Sequence, residues 1–270
     1  MSEAPEDVRP LAVVTGGSNG IGYELARQFA EHGYDLLLAA ENEPHLREAA
    51  GALQSLGGVR VEICAGDLSQ EEGVRALYER IRGLAAPVDV LCVNAGVGLG
   101  GPFAETDLEK EIRMINLNIT GAVALTKFVL KDMVARDRGK ILFTSSIAAT
   151  MPDPFEAVYG GTKVFLRWFG ESLRNELKDT GVGVTVLMPS ITDTNFFQRA
   201  EMMDTKAGQM EHKDDPATVA KAAFEGLMAD RDKVIPTLKN KALAAGAEML
   251  PDTAAAQMHR GLSEPGSGRT

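Results

Sequence analysis

A doubly wound, mostly parallel α/β sheet of seven strands with helices on both faces is the fold this 270-residue chain predicts. Three observations point there. Short runs rich in Val, Ile and Leu recur along the chain, as strands covered on both faces require. Longer stretches of helical period separate them. The first run leads directly into TGGSNGIG and then into a helix, the order in which a nucleotide-binding turn is built.

The strands, in order, are LAVVT at 11–15, YDLLLAA at 34–40, VRVEICA at 59–65, VDVLCVN at 88–94, KILFTSS at 140–146, VGVTVLMP at 182–189 and KVIP at 233–236. Among the helices, GIGYELARQFAEHG gathers Ile21, Leu25, Phe29 and Ala30 on one face. SQEEGVRALYERIRGL opens with a serine cap and acids in its first turn. Two longer helical segments run over about 107–136 and 157–180. Residues 195–215 break the rhythm and read as a substrate lid. The glycine-rich end, 261–270, reads as a disordered tail on a single domain over 1–260.

Composition removes several functions. The net charge of −10, with basic residues dispersed among acids, argues against a nucleic-acid partner. No apolar run approaches the roughly 18 residues of a membrane span. The start, MSEAPEDVRP, does not resemble a signal or transit peptide. Cys64 and Cys92, each inside a predicted strand, read as buried free thiols in a reducing, cytoplasmic setting. His32, His45, His212 and His259 show no metal-ligand spacing, so no metal is expected.

In TGGSNGIG, Gly16, Gly20 and Gly22 allow a tight turn and close ligand approach, with Ser18, Asn19 and Ile21 between them. The helix N-terminus behind offers free N–H groups to a pyrophosphate. The second strand ends in AAENE, and no Lys or Arg stands near it in sequence. Glu41 would accept from an adenosine ribose and repel a 2′-phosphate, which favours NAD, with NADP as the alternative.

Further along, GDL at 66–68, NAG at 94–96, Ser146 and the YGGTK that begins at Tyr159 complete a set. Together with the glycine turn these motifs resemble the short-chain dehydrogenase/reductase family, from about Leu11 to Pro236. The resemblance implies a Rossmann-type domain, an NAD(P) cofactor and a homodimer or homotetramer built on the two long helices. It places Asp67 and Leu68 at the adenine, and Asn94, Ala95 and Gly96 beside the cofactor. It makes Ser146, Tyr159 and Lys163 catalytic, with Asn118, three residues before Gly121, holding a water-linked proton path to Lys163. In PSITDT, Ser190 stands where the family has glycine, while Pro189, Ile191 and Thr194 keep their places at the nicotinamide.

The chemistry is consistent with that set. Carbonyl reduction needs a proton donor and alcohol oxidation a proton acceptor, and either works best with a pKa near the working pH. An ammonium about 4 Å from a phenol supplies energy of the order needed to lower a tyrosine by roughly three units. Lys163, one turn after Tyr159, is spaced for this. Gly160 and Gly161 weaken the start of that helix, so close approach of cofactor or chain is expected there, offset by packing of Val164, Phe165, Trp168 and Leu173. Val97, Leu99, Phe103, Ile147, Met151 and Phe155, with Phe196, Phe197, Met202, Met203 and Met210 of the lid, suggest an apolar alcohol or carbonyl substrate. A nucleotide sensor without turnover and a nucleotide-dependent epimerase or dehydratase are the alternatives.

Overall fold

The computed structural model describes residues 9–84 and 86–268. Its centre is a seven-stranded, all-parallel sheet in the order β3-β2-β1-β4-β5-β6-β7. The strands are β1 Leu11–Thr15, β2 Asp35–Ala40, β3 Val61–Ala65, β4 Val88–Val93, β5 Gly139–Thr144, β6 Val182–Leu187 and β7 Lys233–Val234. Each lies within a run expected from sequence or within one residue of it. Alternate residues enter opposite cores. Ala12 and Val14 pack beneath α1 (Gly20–Glu31), α2 (Glu43–Gly57) and α9 (Pro216–Met228), whereas Leu11 and Val13 face α3 (Glu71–Arg82), α5 (Ala122–Ala135) and α6 (Ala157–Glu176). Burial on both faces explains why the central strands are mostly apolar.

After β3 the chain crosses back to place β4 beside β1, so the strand order reverses between them. A crevice opens beyond the carboxyl ends of the strands at such a point. The long segment after β4 is not one continuous α-helix. It comprises α4 (Leu108–Ile115), a π-helical turn (Asn116–Gly121) and α5. Asp107 caps α4 by accepting from Glu109 N at 2.7 Å. At Gly121 a side chain would overlap the Leu68 carbonyl oxygen, so the turn fits against the loop after β3.

Three expectations change here. The chain end is ordered over its described part: α10 (Leu238–Met249) is followed by α11 (Asp252–Ser263). Gly266 N then donates to Asp204 Oδ2 at 2.8 Å and Gly268 N to Asp204 O at 2.9 Å. Residues 269–270, the rest of the predicted tail, lie outside the described residues, as do residues 1–8 of the predicted domain. On α6, Phe165 and Trp168 are exposed, the latter by 56%, and the buried face is instead Gly160, Thr162, Lys163, Leu166, Arg167 and Gly170. Cys92 is buried but Cys64 is only partly so, because β3 is an edge strand. Among the described residues no helix is long and apolar enough to cross a membrane.

Candidate active site

The crevice is a cavity of about 1060 Å³ bounded by the glycine turn, the ends of β2 to β6, the start of α6 and a roof of residues 195–207. Its dinucleotide end follows from the turn between β1 and α1. Gly16 has φ +68° and lies against Asn94 and Ala95, so only glycine meets both demands. At Gly22 a side chain would overlap the Gly16 carbonyl. The Thr15 hydroxyl accepts from Asn94 N at 2.9 Å and Ala95 N at 3.0 Å, and Asn94 Nδ2 donates to Thr15 O at 3.1 Å. These bonds lock the ends of β1 and β4 together, leaving the N-terminus of α1 facing the cavity.

Ser18, Asn19, Gly20, Ile21, Glu41, Asp67, Leu68 and Gly96 border the cavity as expected, as do Pro189, Ile191 and Thr194. No Lys or Arg is near Glu41 in sequence, but the fold brings one to it. Arg113 reaches back from α4 and places a guanidinium nitrogen 2.7 Å from Glu41 Oε2 and 3.4 Å from Asp67 Oδ2. Arg199, in the short roof helix α7 (Phe196–Arg199), donates to Asn19 Oδ1 at 2.7 Å. Neither was visible in sequence, since each joins residues from distant parts of the chain.

At the chemical end, Ser146, Tyr159 and Lys163 share one wall. Ser146 ends the β5 loop and caps a 3₁₀ turn, Ile147–Thr150, by accepting from Ala148 N at 3.1 Å. Ser146 also acts on the neighbouring Tyr159 phenol, favouring its ionised form. Lys163 Nζ donates to Thr144 O at 2.9 Å and lies 5.6 Å from the Tyr159 ring centroid. The expected effect of lysine on tyrosine is not what these residues produce by themselves. Burial, then the charge of Glu156, push the Tyr159 phenol well above its ordinary value, with Ser146 pulling the other way. Burial lowers the Lys163 ammonium to about 8.

Asn118 is fully buried and does not border the cavity. Its amide is spent on protein partners: Nδ2 donates to Val97 O at 2.9 Å and to Thr162 Oγ1 at 3.0 Å, while Oδ1 accepts from Val97 N at 3.0 Å. These three bonds tie the loop after β4 to α6. Thr162 passes the restraint on by donating to Tyr159 O at 2.7 Å, and Ser145 Oγ donates to Lys163 O at 2.7 Å.

Of the expected substrate residues, Val97, Ile147, Met151, Phe196 and Phe197 border the cavity. Leu99, Phe155 and Phe103 do not. Gly98 and Gly100 turn bare backbone toward Phe196 and Met202 of the roof, and Leu99 between them is buried away from the cavity. Phe155 adopts φ +65° and lies under the Arg260 guanidinium, 4.9 Å from its ring centroid. Phe103 is 64% exposed. In the roof, Met202 is buried in a small core with Phe197, Ala200 and Ala207 of α8 (Lys206–Gln209), and Met203 faces solvent.

The glycine cradle fits a dinucleotide phosphate bridge, and the Gly160–Gly161 expectation divides. A side chain at Gly160 would come within 2.5 Å of Asp153 Cβ, whereas one at Gly161 would meet nothing within 4 Å. The close approach is thus made by the loop before α6. The same loop meets α11, where a carboxylate oxygen of Asp153, one of Glu156 and a ring nitrogen of His259 lie within 4.8 Å of one another. His259, isolated in sequence, is brought there by the fold.

A dinucleotide cradle at the strand-order reversal, joined to a Ser–Tyr–Lys wall, defines a class of doubly wound nucleotide-binding proteins. The particular family is the short-chain dehydrogenases, to which this chain belongs: their family model matches residues 10–205. Sulfoacetaldehyde reductase 2 of Chromohalobacter salexigens is 34% identical over 188 residues, 69% of this chain and 74% of that protein. A very-long-chain 3-oxoacyl-CoA reductase of Pyricularia oryzae is 34% identical over 182 residues, 66% of this chain. A short chain dehydrogenase of Pseudocercospora fijiensis is 31% identical over 187 residues, 68% of this chain. The chain spans 54% and 60% of the lengths of those two fungal proteins. Among solved structures, a short-chain dehydrogenase from Sphingobium yanoikuyae in complex with NADPH aligns with a TM-score of 0.79 at 29% identity, covering 88% of this chain and 93% of that one.

Proposed function

We propose that this protein is an NAD(P)-dependent oxidoreductase that transfers a hydride between its cofactor and an alcohol or carbonyl compound, with Tyr159 as general acid/base. The observation that carries the reading is that Ser146, Tyr159 and, one turn on, Lys163 border the same cavity as the glycine cradle. Gly16 to Gly22 and the α1 N-terminus would hold the phosphates, Glu41 and Asp67 the adenosine, and Pro189, Ile191 and Thr194 the nicotinamide. The bound dinucleotide supplies or accepts the hydride. Ser146 holds the substrate oxygen, and Tyr159 gives its proton to that oxygen in reduction or takes it in oxidation. Lys163 would contact the nicotinamide ribose and favour the phenolate, and the positive charge of an oxidised nicotinamide would add to that effect. Asn118 keeps the loop after β4 in register with α6.

NAD is the preferred cofactor on charge. Arg113 is shared by two carboxylates, so a 2′-phosphate would have to displace an existing pair. The NADPH-bound relative makes NADP the alternative. The substrate is apolar or mixed, given Val97, Met151, Phe196 and Leu262 on the cavity wall, with residues 195–215 as its lid over a single domain. A homodimer or homotetramer on α4, α5 and α6 would cover Leu108, Ile112, Phe165 and Trp168, all exposed. The unpaired cysteines support a cytoplasmic setting.

The test is a panel of alcohols and carbonyls assayed with NADH, NADPH and their oxidised forms, followed by Tyr159→Phe. Turnover that falls by about 10²- to 10⁴-fold in the variant, with cofactor affinity kept, is expected. Cofactor binding without turnover across the panel would favour the sensor, and equal rates in the variant would remove Tyr159 from proton transfer.

A further inference from the structure

The cavity has an ionisable wall that the proton transfer above leaves unused. Glu156 directly precedes α6, three residues before Tyr159, and it is buried beside the cavity. Both residues line the cavity, and the charge of Glu156 acts on the Tyr159 phenol. Glu156 Oε2 accepts from the Ser263 hydroxyl at 2.9 Å, and Ser263 Oγ lies 3.3 Å from His259 Nδ1. His259 Nδ1 in turn pairs with Asp153 Oδ1 at 2.7 Å. One network therefore ties the loop before α6 to the last turns of α11. Met258, His259, Leu262 and Ser263 border the cavity too, although α11 lies beyond the residues that match the family.

A buried carboxyl of this kind is costly unless something holds it. The groups that could neutralise it are largely engaged elsewhere. Lys163 is bonded to Thr144 O. Arg167 of α6 serves Ala149 O, Glu171 and Glu248 of α10. Arg260 is paired with Glu264 and covers Phe155. Asp153 adds a second negative charge, leaving His259 as the cation of the network. The Coulomb effect of Glu156 on the phenol is thus repulsive toward phenolate.

We propose that Glu156 is a positioning residue of the reaction: held by Ser263 and by the Asp153–His259 pair, its carboxylate keeps Tyr159 in the protonated, proton-donating form. The inference rests on Tyr159 being the general acid. It makes α11 part of the site and biases the protein toward carbonyl reduction.

The experiment compares pH profiles of oxidation and reduction in wild type, Glu156→Gln, Glu156→Asp, Ser263→Ala and Tyr159→Phe, using an active pair from the panel. Glu156→Gln is expected to move the alkaline-rising limb of oxidation about one to two pH units lower and to raise the ratio of kcat for oxidation to kcat for reduction at neutral pH about tenfold. Glu156→Asp restores much of the wild-type profile, and Ser263→Ala shifts it less, in the direction of Glu156→Gln. A substrate-free readout is the phenolate ultraviolet absorbance on alkaline titration; the chain has four tyrosines, and subtracting the same trace in a Tyr159→Phe background isolates one. Its midpoint should fall in Glu156→Gln. Unmoved profiles and midpoint alongside an inactive Tyr159→Phe overturn this role alone. An active Tyr159→Phe overturns the general acid itself. If Glu156→Gln does not fold, Ser263→Ala carries the same test, and no shift there overturns the proposal.

Discussion

The side-chain amide of Asn118 is bonded to both backbone groups of Val97, at 3.0 Å from its N–H and 2.9 Å to its carbonyl. That is the pairing a second strand would offer, made by one side chain from a π-helical turn. With the third bond, to Thr162, it fixes the loop after β4 against the helix that carries Tyr159. Asn118→Ala leaves the partly buried Val97 groups and the buried Thr162 hydroxyl without this partner. A loss of about 2–3 kcal/mol in stability is expected by denaturant titration. A fall in turnover of tenfold or more is expected in steady-state kinetics, without a matching change in the dinucleotide Kd.

The two adjacent glycines of α6 should respond in opposite directions. Gly161→Ala places a methyl in open space on a helix and should stabilise by about 0.5–1 kcal/mol, leaving cofactor affinity unchanged. Gly160→Ala drives a methyl into Asp153 and should destabilise by about 1–3 kcal/mol. Equilibrium urea unfolding of both variants distinguishes them. A destabilised Gly161→Ala would show that the crowding is misplaced.

Cofactor choice should turn on a few charges. NADH is expected to give the higher kcat/KM. Glu41→Ala removes one of the two carboxylates that share Arg113, and it should raise the NADPH-to-NADH ratio of kcat/KM about tenfold. Wild-type preference for NADPH would mean that Arg113 leaves its carboxylates for the 2′-phosphate.

Glu156 also makes stability pH-dependent. Burial, with Asp153 adding, raises its carboxyl to about 7 from 4.5, against opposition from His259 and Ser263. A raised carboxyl binds its proton more tightly folded than unfolded. Its contribution is therefore full below the unfolded pKa and disappears as pH rises through about 7. Glu156→Gln should melt near the wild-type temperature at pH 5. At pH 8–9 it should be more stable by roughly 2–3 kcal/mol, read as a higher Tm in calorimetry. Identical pH dependence of the two melting curves would contradict the raised value.

Much of the architecture was legible because it is periodic. All seven strands announce themselves by apolar runs, and the glycine turn by its place between a strand and a helix. Asn118 could be chosen by resemblance, three residues before Gly121, yet the physical reason for that glycine, the Leu68 carbonyl beneath it, needed the fold. What sequence missed is what tertiary approach creates. Arg113 reaches Glu41 across 72 positions, and Ser263 reaches Glu156 across 107. The tail looked soluble and loose by composition, but its backbone donors are tied to Asp204. Lysine at helical spacing from tyrosine correctly suggested proximity. It did not indicate how far burial and a neighbouring acid would oppose ionisation.

The two thiols sit at very different depths. Cys92 lies in the middle of β4, between β1 and β5, with burial pushing its thiol well above the ordinary value, whereas Cys64 is on the edge strand β3 and partly open. Only the thiolate is nucleophilic, so an alkylating reagent should count one sulfur while the sheet is closed and two once β4 has come out of it. The molecule thus carries its own stopwatch for global opening. Pulsed alkylation read by mass spectrometry would time that opening without any added label.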